Sequence, residues 1–117
     1  MIVKRNEILE LSFEFALRII AYCEVLEERR KYIIARQLLK SGTSIGANIR
    51  EAQNAESNQD FIHKLKIAAK EADETEYWLL LCDKSPNYPS SEELLINLLS
   101  IKKLLNSIIT TMKNKIE

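Results

Sequence analysis

The sequence predicts an all-α fold, an antiparallel up-down-up-down four-helix bundle, on three observations. The 117 residues include only two Gly and two Pro, too few for the frequent turns of a β fold. Apolar residues recur at three- and four-residue intervals through four long segments. The connections between these segments are short and polar, which sets consecutive helices side by side in opposite directions. The length suits one domain with a core of its own. The expected organisation is a single domain over 1–117, with helices at about 6–28, 32–56, 58–84 and 91–115.

In the first helix, Asn6 is placed to cap the N-terminus. Ile8, Leu11, Phe15, Ile19, Tyr22 and Leu26 form one apolar stripe, and Leu9, Phe13, Ala16, Ile20 and Cys23 form a second beside it. One stripe suffices for a monomeric bundle, so the second implies burial on another side. The second helix carries the seam Ile34, Leu38, Ser41, Ile45, Asn48, Ala52 and Ala55, spaced four and three in alternation. Ser57 and Asp60 stand at capping-box spacing before the third helix. Its seam is Phe61, Leu65, Ala68, Ala72, Thr75, Leu79 and Cys82, with small residues in the middle that let a neighbour come close. At its end, Tyr77, Trp78, Leu79, Leu80 and Leu81 leave it apolar nearly all round. Ser85-Pro86-Asn87-Tyr88-Pro89 is the clearest loop, and Ser90 with Glu93 has capping-box spacing for the fourth helix. The seam of that helix is Leu94, Leu98, Ile101, Leu105, Ile108 and Met112.

The formal net charge is zero, but the charges are segregated. Residues 29–70 carry +6 and residues 71–93 carry −6. Such blocks either attract neighbouring helices or make a basic surface for nucleic acid. Cys23 and Cys82 fall on apolar faces and read as buried thiols in a reducing compartment. The N-terminus lacks the apolar run of a signal peptide, and no uninterrupted apolar stretch has the length of a membrane span. A cytoplasmic protein with no membrane partner is expected.

Lys40 to Glu51 breaks local propensity without breaking the helical pattern. It holds both glycines, Gly42 and Gly46, one turn apart, each costing about 1 kcal/mol relative to Ala in a helix interior. Close approach of a neighbouring helix would offset that cost. Asn48 falls on the seam, where burial demands partners. The candidate polar network joins Ser44, Asn48 and Glu51 of the second helix to Glu71, Glu74 and Thr75 of the third, and is expected to be largely buried and hydrogen-bonded.

No catalytic constellation stands out. A di-iron bundle needs a Glu-x-x-His motif on each of two helices. Here the one histidine, His63, follows Asp60. There is no phosphate-cradling glycine loop and no nucleophile motif. We expect no catalytic residues, no metal and no cofactor, and read the chain as a non-enzyme.

The chain resembles the small bacterial four-helix-bundle proteins also called 23S rRNA intervening-sequence proteins. The resemblance runs through Arg36-Gln37-Leu38, Ser41 to Ala52, Ser57, Asp60-Phe61, Lys64 to Ala68 and Lys70 to Leu79. It implies a left-handed up-down bundle assembled into a ring-like homopentamer. Some members are encoded within intervening sequences of 23S rRNA genes, and some are labelled ribosomal proteins. Others resemble the accessory variability protein of diversity-generating retroelements, which works with a reverse transcriptase and binds nucleic acid through a basic surface. Those relatives are strongly basic, and this chain is neutral.

Two functional expectations follow. The first is a non-enzymatic, self-associating scaffold or interaction module. The second is an RNA- or DNA-binding protein whose phosphate contacts come from Arg29, Arg30, Lys31, Arg36, Lys40 and Arg50, with Lys64, Lys66 and Lys70 as a second group gathered in a homo-oligomeric ring.

Overall fold

The computed structural model describes the backbone of residues 2–116 and the side chains of residues 7–115. Four helices follow one another: α1 (Ile2–Glu28), α2 (Tyr32–Ala52), α3 (Asn58–Lys84) and α4 (Glu92–Ile116). Each packs against its neighbours in sequence, and α4 returns against α1. Diagonal helices stay apart: no Cα of α1 comes within 8 Å of a Cα of α3. The result is a square antiparallel bundle about 49 Å long and 20 Å across, with no strand among the described residues.

The seams read from the sequence form the core. All seven seam residues of α3 and all six of α4 are buried. In α1, Ile8, Phe15, Ile19 and Leu26 are buried, whereas Leu11 and Tyr22 are half-buried. In α2 the core face is turned toward α1. Ala35, Gly42 and Ile49 are buried beside Leu38, Ser41, Ile45 and Ala52, while Ile34, Asn48 and Ala55 are only half-buried. The turn follows from Gly42, which lets α1 come close. A Cβ there would stand 2.9 Å from two side-chain carbons of Ile19.

The helix ends differ from expectation in three places. α1 is already helical at Ile2, so Asn6 lies inside it and does not cap it. α2 stops at Ala52, four residues early. The N–H groups of Gln53, Asn54 and Ala55 each bond the carbonyl three residues back at 3.1 Å, tightening the last turn. Ser91 holds the N-cap position of α4, its carbonyl accepting from the Leu95 N–H at 3.0 Å, while Ser90 Oγ accepts from the Glu92 N–H at 3.3 Å. Glu92 opens the helix, and the buried Ser91 hydroxyl donates to the Leu79 carbonyl of α3 at 2.7 Å. At α3 the capping reading holds: Ser57 Oγ accepts from the Asp60 N–H at 3.0 Å. The Asp60 carboxylate accepts from the Glu56 N–H at 3.1 Å.

The α1–α2 turn ends α1 in a Schellman motif without a glycine. The Lys31 N–H bonds the Leu26 carbonyl at 2.8 Å, the Arg30 N–H bonds the Glu27 carbonyl at 2.9 Å, and Arg30 has φ 62°. At the same end, Tyr22 donates to the Pro89 carbonyl at 2.7 Å, and Lys31 Nζ sits 5.0 Å from the centre of the Tyr88 ring. These contacts tie the two loops of that end to the bundle.

By length and composition α4 is apolar enough to cross a membrane, with a mean hydropathy of 1.3 over its most apolar eighteen residues. Its apolar run is interrupted by Asn97, Ser100, Lys102, Lys103 and Asn106. In the bundle its seam is core.

Candidate polar seam and basic surfaces

The polar stretch of α2 meets the small middle of α3 at one buried contact. Thr75 Oγ1 lies 3.0 Å from Ser41 Oγ and 2.7 Å from the Glu71 carbonyl, and donates its one proton between them. Both hydroxyls are fully buried. Ser41 was expected on the seam but not in the network. The signal that places it there is its register opposite Thr75.

The other expected members bond within their own helices. Ser44 Oγ donates to the Lys40 carbonyl at 2.6 Å, and Asn48 Nδ2 donates to the Ser44 carbonyl at 2.8 Å. Glu74 Oε2 accepts from Trp78 Nε1 at 3.2 Å. Glu51 is exposed. The expected buried network of Ser44, Asn48, Glu51, Glu71, Glu74 and Thr75 is therefore replaced by a single cross-helix bond, Ser41 to Thr75. The cause is local: short polar side chains within a helix reach the carbonyl one turn back. Ile49 meanwhile takes the core position that Asn48 was assigned. Glu71 is half-buried, and burial together with neighbouring Glu74 raises its carboxyl pKa, with Lys40 opposing.

A second polar cluster stands at the loop-tied end. Burial raises the Tyr22 phenol above its ordinary range, and Cys82 adds to the shift. The Cys23 thiol donates to the Ala35 carbonyl at 3.4 Å, and burial pushes its pKa up to about 12. Burial also raises Cys82. Both thiols are held protonated, which is the unreactive form. They lie on diagonal helices, too far apart for a disulfide without backbone movement. Among the described residues, no group of three or more His, Cys, Asp or Glu side chains is placed to hold a metal.

A cavity of about 620 Å³ is an open cleft between α1 and the start of α4. Part of its polar lining is engaged within the chain: Arg18 Nη1 donates to Asn97 Oδ1 at 2.6 Å, and Tyr22 donates to the Pro89 carbonyl at 2.7 Å.

The basic candidates do not form one surface. Arg29, Arg30 and Lys31 cluster at the α1–α2 turn, with Lys31 already over Tyr88. Arg36 and Lys40 are exposed further along α2, and Arg50 is exposed near its far end. Lys64 lies 3.9 Å from Asp60. Lys66 neighbours Lys113 of α4, whose charge lowers its pKa. Lys70 is exposed one turn on. Lys113 escaped sequence reasoning because only the bundle brings the end of α4 beside the start of α3.

Fold and site together define a four-helix bundle whose interior is apolar but for a few buried hydroxyls and thiols, and whose surface carries segregated charge. The chain belongs to the 23S rRNA-intervening sequence protein family, whose model matches residues 4–109. A solved structure from Bacteroides thetaiotaomicron VPI-5482, described as a protein of unknown function from the S23 ribosomal protein family, is 46% identical. The match covers 92% of this chain and 98% of that one, with a TM-score of 0.85. A search of curated proteins finds no match.

Proposed function

We propose that this chain is a non-enzymatic scaffold or interaction module that works as a homo-oligomer in the cytoplasm. The observation that carries the reading is the apolar surface left over after the core is built. Phe13, Leu17 and Ile20 of α1, Tyr77, Leu80 and Leu81 of α3, and Ile96 and Leu99 of α4 are all exposed in the single chain. These side chains lie on opposite sides of the bundle, on α1 and on α3–α4, and clustered exposed apolar side chains of this kind mark interaction surfaces. The two protonated, unbridged thiols fit a reducing compartment. Size-exclusion chromatography with light scattering tests the reading. An assembly of several chains is expected, five if the family resemblance holds, and a clean monomer at tens of micromolar overturns it.

A second reading, RNA or DNA binding, is favoured by Arg29 and Arg30, which are exposed and make no ion pair among the described residues. Assembly would multiply them. An electrophoretic shift that weakens steeply with salt supports this reading, and no shift at low salt removes it.

A further inference from the structure

The bundle has two opposite broad faces that complement each other. Helix order around the square sets the α1–α2 face opposite the α3–α4 face. On the first, a shallow groove runs between the helices, lined by Leu9, Phe13, Ala16, Thr43 and Gly46. Glu10 and Glu14 flank it beside Arg50, and Glu14, at the edge of this face, also lines the groove between α1 and α4. On the second, Tyr77, Leu80, Ile96 and Leu99 are exposed toward the loop-tied end. Lys66, Lys70, Lys103 and Lys113 occupy the other half. Among the described residues, neither Glu10, Glu14 nor any of these four lysines makes an ion pair. Lys66 and Lys113 lie close enough to repel each other.

Height along the bundle decides whether the faces match. Ser12 of α1 stands against Gly46 of α2. Ser41 of α2 bonds Thr75 of α3, and Asp73 of α3 meets Lys102 of α4 at 2.9 Å. Following these links around the square puts Glu10 and Glu14 level with Lys66 and Lys70, and between Lys103 and Lys113. The same links put Ile20 level with Tyr77 and Leu99. Two copies pointing the same way therefore bring acid to base and apolar to apolar. Inverting one copy brings Glu10 and Glu14 toward Leu80 and Ile96 and loses both matches.

We infer that the α1–α2 face of one copy docks on the α3–α4 face of a second copy in the same orientation, with Glu10 and Glu14 over the lysines around Lys66 and Lys113. The contact is heterologous, because each copy offers a different face to each neighbour. The charges set partner orientation and the apolar half supplies the buried area. This inference rests on the homo-oligomeric reading above. It also assigns Lys66 and Lys70 to the subunit contact and not to nucleic acid.

Two charge reversals test it, both at exposed positions: Glu10→Lys with Glu14→Lys, and Lys66→Glu with Lys113→Glu. Helical circular dichroism checks that each variant folds, and light scattering over a dilution series reads association. Each reversal alone is expected to weaken association roughly tenfold or more. Mixing the two variants in equal amounts is expected to bring association back in part, because every contact between unlike variants again pairs acid with base, while a ring with an odd number of copies keeps one contact between like variants. Assemblies that ignore both reversals overturn the docking but leave the homo-oligomeric reading standing. Variants that stay apart on mixing overturn it too. So does a Lys66/Lys113 reversal that assembles normally yet abolishes binding of a polyuridylate probe. A monomeric wild-type chain is the distinct outcome that removes the homo-oligomeric reading itself.

Discussion

Ser41 and Thr75 meet hydroxyl to hydroxyl at 3.0 Å in the fully buried centre of the α2–α3 interface. The pair fixes the register of two helices whose other contacts there are small and apolar. Replacing one partner strands the other. Ser41 then keeps only a weak bond to the Leu38 carbonyl at 3.5 Å. Thr75→Val, which conserves volume, should cost about 1–3 kcal/mol in urea unfolding. Ser41→Ala with Thr75→Val should cost less than the two single losses added together, by about 1 kcal/mol of coupling. Strict additivity would show that the bond contributes nothing.

The two glycines of α2 should respond to Ala in opposite directions. At Gly42 the new methyl would stand 2.9 Å from Cγ1 and Cγ2 of Ile19, which is fully buried and cannot yield. Overpacking of about 1–3 kcal/mol exceeds the helix-propensity gain of about 1 kcal/mol. Gly42→Ala should therefore lower the melting temperature. At Gly46 the nearest atoms are Ser12 O and Oγ at 3.4 Å, an ordinary contact. Gly46→Ala should raise stability by up to about 1 kcal/mol. Thermal melts of the two variants side by side check the pair.

These residues also show what was legible in the sequence. The seams of α3 and α4 could be read residue by residue, because large apolar side chains repeat there with few rivals for the core. The α2 seam was read half a face off, because Asn48 and Ile49 are neighbours. Only the approach of Ile19 to Gly42 decides which of them turns inward. The polar network was over-read for a related reason. Sequence spacing shows which polar groups share a face, whereas their preference for their own helix carbonyls appears only once the rotamers are placed. The Schellman turn at Arg30 carried no signal, since its usual glycine is missing.

Arg30 makes that turn at φ 62°, a backbone conformation strained for a residue with a Cβ. Its exposed side chain makes no ion pair among the described residues. Arg30→Gly should stabilise the fold by about 1 kcal/mol, read as a higher urea midpoint at unchanged m. A loss of stability would mean that the arginine side chain holds the turn in a way its exposure conceals. If the same variant weakened a low-salt RNA shift, stability and binding would be separated at one residue.

Alkaline pH should unfold the bundle through its buried thiols and phenol. Burial pushes Cys23 up to about 12 and raises Tyr22 and Cys82 as well. The unfolded chain releases a thiol proton near pH 8.5, whereas the folded chain keeps it. Between those two values the unfolded state binds fewer protons, so stability falls as pH rises. The fall is about 1.4 kcal/mol per pH unit for each such group while the window lasts. Stability should therefore be flat with respect to these groups below pH 8 and decline from about pH 9 upward. Cys23→Ala should start from a lower stability but decline less steeply, because one of the three groups is gone. Urea midpoints of the two proteins from pH 7 to pH 11 give both slopes. Parallel slopes would show that Cys23 titrates in the folded protein as it does in the unfolded one.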